Sequence, residues 1–148
     1  FRGKSGAALG VIRGALDIQI AVLGFNHPDV TESRHHLAAA LMEDGDLSAA
    51  EARYRDALAR QLSTHGAAHP YSLKLRGELC RLLGRLERFT EAREDLEEVI
   101  AEQLRVLGPE HPDTLVSEST LRALKERMNN DVEALPKHRP MEELSARE

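Results

Sequence analysis

One short phrase recurs three times at a constant interval, and this repeat constrains the fold more than any other feature. The three copies are LGFNHPDV at 23–30, HGAAHPYS at 65–72 and LGPEHPDT at 107–114. Their histidines, His27, His69 and His111, are each 42 residues apart. The same shift superposes glycines, prolines, glutamines and a set of apolar positions. Self-similarity at a fixed period of this length indicates an array of stacked supersecondary units.

Each unit is predicted to contain two helices. After Pro28, apolar residues fall at helical spacing until Gly45 interrupts the pattern. A second apolar stripe follows, and Gly66 ends it. The sequence therefore predicts four segments: an orphan second helix at about 5–23, complete helix pairs at 28–65 and 70–107, and a final first helix at 112–128.

The helix starts carry recognisable signals. Pro28 is expected in a first helical turn, where its missing N–H costs nothing. The segment from Ser48 to Glu51 has the spacing of a capping box, and Thr90 is the equivalent of Ser48 in the next unit. Gly3 superposes on Gly45, which favours an inter-helix turn over a phosphate-binding loop for the GKS triplet.

Composition argues against several classes of function. The 148 residues carry a formal charge of −5, include 3% aromatics and lack Trp, which disfavours nucleic-acid binding. The single cysteine, Cys80, excludes an intramolecular disulfide and a cysteine-based zinc site. Arg13 and Asp17 interrupt the most apolar helix, so no membrane span is predicted. We expect a protein located in the cytoplasm.

No catalytic or metal-binding motif is present. The sequence lacks GxSxG and HExxH, and no general acid and base pair is recognisable, so we expect no enzymatic activity. The repeated histidines would lie about 10 Å apart on stacked helices, too far to share a zinc ion. They are instead expected to hydrogen-bond the backbone at the helix starts. No metal and no cofactor are predicted.

These repeats resemble the tetratricopeptide repeat family. The family pattern is matched by Leu37, Ala38, Leu41, Gly45, Leu47, Ala50, Tyr54, Ala57 and Leu58. The next copy matches less completely, because Glu87 stands where the turn glycine is expected. The 42-residue period with its LGxxHP linker is similar to the repeats of kinesin light chains and of related bacterial signalling arrays.

The resemblance implies an all-α fold, a right-handed α-solenoid of stacked antiparallel helix pairs. Residues 1–128 would form the repeat domain, with a half repeat, two full repeats and a further half repeat. Residues 129–148 are predicted to form a C-terminal tail that is partly disordered or holds a short capping helix.

The resemblance also implies that the first helix of each pair lines a concave groove. Once core positions are removed, the predicted groove residues are His35, Ala39, Met42, Lys74, Gly77, Arg81, Arg85 and Ser119. Lys74, Arg81 and Arg85 follow one stripe, and Gly77 beside them would leave room for a ligand backbone. The alternative is that these cations merely solvate the helix and pair with nearby acids. A carboxylate clamp is not expected, since the Asn positions hold His36, Glu78 and Thr120.

The leading functional hypothesis is a non-catalytic module that binds a peptide or helix of a partner protein in this groove. The partner would be acidic, with an apolar anchor held by Met42 and Ala39. The alternative is a regulatory or sensor segment of a larger signalling ATPase or kinase, acting in cis. A weaker third hypothesis is self-association through uncapped apolar repeat ends.

Overall fold

The computed structural model describes the backbone of residues 2–134 and the side chains from residue 6 onward. This part of the chain contains six α-helices and no strand. The helices are α1 (Arg2–Leu23), α2 (Pro28–Glu43), α3 (Leu47–His65), α4 (Pro70–Arg85), α5 (Phe89–Val106) and α6 (Pro112–Ala134).

Consecutive helices pack on one another to form a solenoid. α2 pairs with α3, and α4 pairs with α5, while α3 also contacts α4 and α5 also contacts α6. α1 contacts α2, and α4 touches α6 directly. The predicted all-α solenoid of stacked helix pairs is confirmed.

Small residues at repeated positions let the helices approach closely. Ala50 and Ala57 on α3 are fully buried, as are Ala92 and Val99 at the equivalent positions of α5. Cys80 occupies the small position of Ala38 on the preceding first helix and is also buried. Its Sγ donates to Asp95 Oδ2 at 3.4 Å, and burial, followed by the charge of Asp95, raises the pKa of the thiol.

The repeated histidines stabilise the starts of the first helices. Nδ1 of His27 accepts a hydrogen bond from the Asp29 amide at 3.2 Å, and His69 makes the same bond to the Tyr71 amide at 3.1 Å. His111 repeats the arrangement with the Asp113 amide, also at 3.1 Å. The predicted role of these histidines is confirmed. They satisfy N–H groups that have no partner within the first helical turn.

The second helices begin differently from the prediction. Asp46 is the N-cap of α3, and its carboxylate accepts from the Ala49 amide at 3.2 Å. Ser48 therefore lies inside the helix, so the capping-box prediction is wrong. α5 begins at Phe89, and its N-cap Arg88 makes no capping side-chain bond, so Thr90 is not a cap either.

Two helix boundaries also differ. α1 begins at Arg2, so Gly3 is helical and does not form the predicted turn. α6 continues to Ala134, beyond the predicted end at 128, because no turn residue interrupts its backbone hydrogen bonds there. The rest of the predicted tail, from residue 135, lies outside the described residues.

The turns within the two complete helix pairs, α2–α3 and α4–α5, have the same backbone shape but different residues. Gly45 has φ 87° between α2 and α3, and Glu87 has φ 61° between α4 and α5. Glu87 is the only non-glycine residue with positive φ in the described part of the chain. The left-handed conformation that glycine adopts freely is thus imposed on a residue with a Cβ.

Candidate functional site

The predicted groove residues all lie on α2, α4 and α6. We call the exposed and half-buried side chains of these three helices the first-helix surface. Lys74, Arg81, Arg85 and Ser119 are exposed, and His35, Ala39 and Gly77 are half-buried. The remaining predicted residue, Met42, is buried. The sequence predicted all eight residues on this surface, and the structure places seven of them there and Met42 inside the core.

Met42 cannot serve as the predicted anchor site. Its side chain is 1% exposed and belongs to the main hydrophobic core. Its carbonyl oxygen accepts a hydrogen bond from Arg85 Nη1 at 3.0 Å. Helical periodicity placed Met42 at the edge of the apolar stripe, but the neighbouring repeat covers that edge.

The glycines of α4 pack against α6 and do not leave space for a ligand. A Cβ on Gly77 would lie 3.3 Å from Ser117 Oγ, and one on Gly84 would lie 3.1 Å from Leu124 Cδ1. Side chains of α6 thus occupy the space that the sequence assigned to a ligand backbone. Gly77 is a helix-packing residue in this structure, which corrects its predicted role.

The three cations of α4 have different surroundings. Arg81 pairs with Glu78 at 3.1 Å, as the alternative prediction had it. Arg85 is bound to the Met42 carbonyl, and Arg127 makes the equivalent bond to the Gly84 carbonyl at 3.3 Å. Within the described residues, no carboxylate lies within 4.0 Å of Lys74. Lys74 is therefore the cation of this stripe that is most available to a partner.

His35 links α2 to α4. Its Nδ1 lies 3.3 Å from the Tyr71 hydroxyl, and its ring centroid is 6.0 Å from that of Tyr71. Burial lowers the pKa of His35, so the imidazole is neutral at pH 7. Burial, together with the charge of Glu32, raises the pKa of Tyr71 to about 12. Both side chains are uncharged, and together they connect α2 to α4 at the base of the first-helix surface.

A cavity of about 470 Å³ opens beside this floor. It lies where the linker before α2, the last turns of α3 and the first turns of α4 meet. Its wall includes Phe25, Glu32, Arg60, His65, Tyr71 and Lys74. Lys74 thus faces a concave space with two aromatic rings, the combination of polar and apolar groups typical of a binding pocket.

Phe25 at the cavity wall is contacted by two arginines. The guanidinium carbons of Arg34 and Arg60 lie 4.0 Å and 3.8 Å from the ring centroid, one cation–π contact each. Arg34 Nη1 also donates to the Phe25 carbonyl oxygen at 3.2 Å. Phe25 remains 46% exposed. The part of the ring that the two arginines leave uncovered is available to a ligand.

Sequence reasoning missed Phe25 and Arg60. Phe25 lies in the repeated phrase at 23–30, at a position occupied by Ala67 and Pro109 in the other copies. That departure from the repeat was the available signal. Arg60 is on a second helix, which the groove prediction left out.

The acidic outer helix α5 is largely neutralised by neighbours. Arg76 binds Asp95 and also Glu98, the latter at 3.2 Å. Glu51 accepts from Arg88 at 2.7 Å in a network that joins α3 to α5. No group of three His, Cys, Asp or Glu side chains in the described residues is arranged to hold a metal ion.

Comparison with known proteins identifies the class. The family model described as tetratricopeptide repeat matches residues 30–71 and 76–113, more than half of the chain. The chain belongs to the tetratricopeptide repeat family, whose repeats are generally protein-protein interaction modules.

Two solved structures narrow the class to repeats of the kinesin-light-chain type. Both are of kinesin light chain nearly identical TPR-like repeats from Podosopora anserina, one of them a point variant. The variant is 31% identical with a TM-score of 0.70, and the other is 26% identical with a TM-score of 0.73. They cover 89% and 93% of this chain. This chain spans 62% and 72% of theirs. No curated protein matches the sequence.

The sequence predicted no membrane span, but helix α1 has the length and composition of one. By length and composition alone, the segment Gly6–Leu23 of α1 is apolar enough to cross a bilayer, with a mean hydropathy of 1.5. Only 6% of this segment is buried. A core helix of a soluble protein or a signal sequence passes the same test, so the observation defines an exposed apolar helix and no more.

Proposed function

We propose that this chain is a non-catalytic interaction module that binds an acidic, extended segment of a partner protein. The segment lies on the α2 and α4 part of the first-helix surface and inserts one apolar side chain into the cavity beside Phe25. A single observation carries the proposal: Lys74, which has no acidic partner among the described residues, lines a cavity of about 470 Å³ together with the rings of Phe25 and Tyr71. A cytoplasmic location remains a prediction.

The side chains that line the cavity indicate which groups a partner should carry. Phe25 and Tyr71 provide apolar surface for an aliphatic or aromatic anchor. Lys74 and Arg60 on the wall favour a carboxylate next to that anchor, although Arg60 also pairs with Asp56 at 3.3 Å. The anchor thus moves from Met42, where the sequence placed it, to the junction of three helices.

A peptide screen tests the proposal. A library of acidic peptides with one large apolar residue is probed with the parent chain, and the tightest peptide is then titrated against variants. Phe25→Ser is expected to weaken binding about tenfold, which corresponds to ~1.4 kcal/mol. Lys74→Gln is expected to weaken it about threefold, and the difference should shrink in high salt, because exposed charges are screened over ~10 Å at 0.1 M.

Two variants at the far end of the array serve as controls. Leu115→Ser removes a side chain with an exposure similar to that of Phe25, and Lys125→Gln removes an exposed lysine on α6. Both should leave peptide affinity unchanged. If the controls weaken binding as much as the cavity variants, or if Phe25→Ser binds like the parent while folded by circular dichroism, the cavity is not the site.

A further inference from the structure

A second groove lies between the two second helices, α3 and α5, with α4 beneath it. Its volume is about 690 Å³. Leu58 and Leu62 of α3 line one side, and Leu79 and Leu83 of α4 line the bottom. α5 lines the other side with Thr90, Glu91, Glu94, Asp95 and Glu98. We call this space the α3–α5 groove. It shares no lining residue with the cavity beside Phe25.

One end of the α3–α5 groove is closed by a balanced ionic network. Arg55 lies 3.3 Å from Glu91, and Arg88 lies 2.7 Å from Glu51, so both pairs join α3 to α5. Two guanidiniums thus face two carboxylates. This end of the groove has no charge left over for a ligand.

Further along α5 the groove keeps an excess of negative charge. Asp95 and Glu98 share one cation, Arg76, which contacts Asp95 and lies 3.2 Å from Glu98. In the part of the chain that the structure describes, no Lys or Arg lies within 4.0 Å of Glu94. Three carboxylates therefore face one guanidinium. Leu62, across the groove, is 37% exposed, so apolar surface lies opposite these carboxylates.

The repeat requires the leucines of the groove but not its carboxylates. A shift of 42 places the four groove leucines on residues that are also aliphatic: Leu16, Ile20, Leu37 and Leu41. The same shift places the four groove carboxylates on Ala49, Ala52, Arg53 and Asp56. The aliphatic positions are therefore explained by packing between helices, whereas the acidic wall belongs to this one groove.

The spacing of two carboxylates matches an extended peptide. Glu94 and Glu98 are one helical turn apart, ~6 Å along α5. In an extended segment, alternate side chains point to the same side ~6.6 Å apart, and the side chain between them points to the other side. Two cations flanking one aliphatic residue would therefore face Glu94 and Glu98, while the aliphatic side chain faces Leu58 and Leu62.

We propose that the α3–α5 groove binds a basic, extended segment of a partner protein, in which one aliphatic residue is flanked by two Lys or Arg residues. The charge of the groove selects the sign of the segment, and its leucines select an apolar residue between the cations. The cavity beside Phe25 is proposed to take an acidic segment, so the two sites favour ligands of opposite charge. This proposal does not depend on the proposed function, because the two sites share no lining residue.

Fluorescence anisotropy of the whole chain with labelled peptides tests the proposal. The probe is an Arg-Leu-Arg segment in a Gly/Ser frame, and the comparison peptide has Ser in place of Leu. The Leu peptide is expected to bind about fivefold more tightly, because its aliphatic side chain leaves water. Glu94→Gln/Glu98→Gln should weaken binding of the Leu peptide about tenfold, and Leu62→Ser about threefold.

Two matched variants of α5 serve as controls. Glu97→Gln/Glu102→Gln removes two carboxylates from the same helix at positions that do not line the groove. Leu104→Ser removes the leucine equivalent to Leu62, and the two leucines are 40% and 37% exposed. Both controls should leave the affinity for the Leu peptide unchanged.

Several outcomes would overturn the proposal. A parent that does not bind the Leu peptide, or binds both peptides equally, rejects it. Equal weakening by the groove and control double variants rejects it too, because the attraction is then to an acidic helix in general. If the parent self-associates and Glu94→Gln/Glu98→Gln abolishes that association, the groove holds a second copy instead. Phe25→Ser should not change this affinity, which separates failure here from failure of the proposed function. Circular dichroism confirms that each variant is folded.

Discussion

The two ends of this solenoid share one repeat period but are finished in different ways. α1 presents Val11, Ile18 and Val22 to solvent, whereas α6 presents Arg122 and Lys125 at positions that are buried in the complete repeats. Lys125 also lies 3.6 Å from Glu97 on α5. The comparison shows that the 42-residue period determines where each helix lies. The residues on the outer face of the helix determine whether that face suits water or another helix. By this criterion α6 has the polar outer face that capping repeats need, and α1 has an apolar one.

The ends also differ in how firmly they are attached. α6 contacts both α5 and α4, and Leu124 packs against the backbone of Gly84. α1 contacts α2, and most of its residues are exposed. Local opening is favoured where few buried contacts hold an element. We therefore expect the N-terminal helix to open more often than the C-terminal one in a monomer.

The largest expected difference comes from shortening one core leucine at each end. Leu124→Ala should lower the free energy of unfolding by about 2–5 kcal/mol, because the cavity lies between packed helices. Leu9→Ala should cost roughly 1–2 kcal/mol, since α1 can detach without unfolding the rest. Urea denaturation of the two variants measures both values. Equal losses would show that α1 is as firmly integrated as α6.

The second prediction concerns substitutions that enlarge a glycine near each end of the array. Gly84→Val should destabilise the protein by about 1–3 kcal/mol, because even a Cβ there meets Leu124 Cδ1 at 3.1 Å. Gly10→Ala at the other end should stabilise the protein by about 0.5–1 kcal/mol, because nothing lies within 4 Å of the added atom and a helix favours alanine. Thermal melting reports the sign of each change. A stabilising Gly84→Val would mean that α6 does not pack on α4 as described.

The smallest expected change in stability comes from exchanging the residues of the two turns within the helix pairs, Gly45 in the first pair and Glu87 in the second. Glu87→Gly should raise the free energy of unfolding by roughly 0.5–1 kcal/mol, because the left-handed backbone costs a non-glycine residue more than glycine loses in entropy. Gly45→Glu makes the reverse change in the equivalent turn and should cost a similar amount. Melting temperatures a few degrees above and below the parent are expected. A lower melting temperature for Glu87→Gly would show that its side chain stabilises the turn.

Local and repeated features were predictable from the sequence. The helix pairs follow from the 42-residue register, and the histidine caps follow from a residue placed directly before its own helix start. Gly66 ends α3 with φ 83°, as its position in the pattern indicated. In each case the partner lies within a few residues along the chain, so spacing alone carries the information.

Features that depend on several helices were not predictable. Met42 and Gly77 lie on the predicted face of their helices, but the adjacent repeat covers the first and α6 packs against the second. The cavity beside Phe25 requires a linker, the end of α3 and the start of α4 to meet. A helical wheel describes one helix at a time and contains none of these relations.

The buried thiol of Cys80 has a consequence for studying motion in this array. Its pKa is raised by burial and by Asp95, so the reactive thiolate is suppressed while α4 and α5 remain packed. Alkylation then requires α4 to separate from the helices that cover the thiol, α5 and α6. The rate of labelling by a thiol reagent would report how often the second complete repeat opens, from the single natural cysteine of the sequence and without an added probe. Comparing the labelling rate with and without a bound peptide would measure how much ligand binding slows the opening of this repeat.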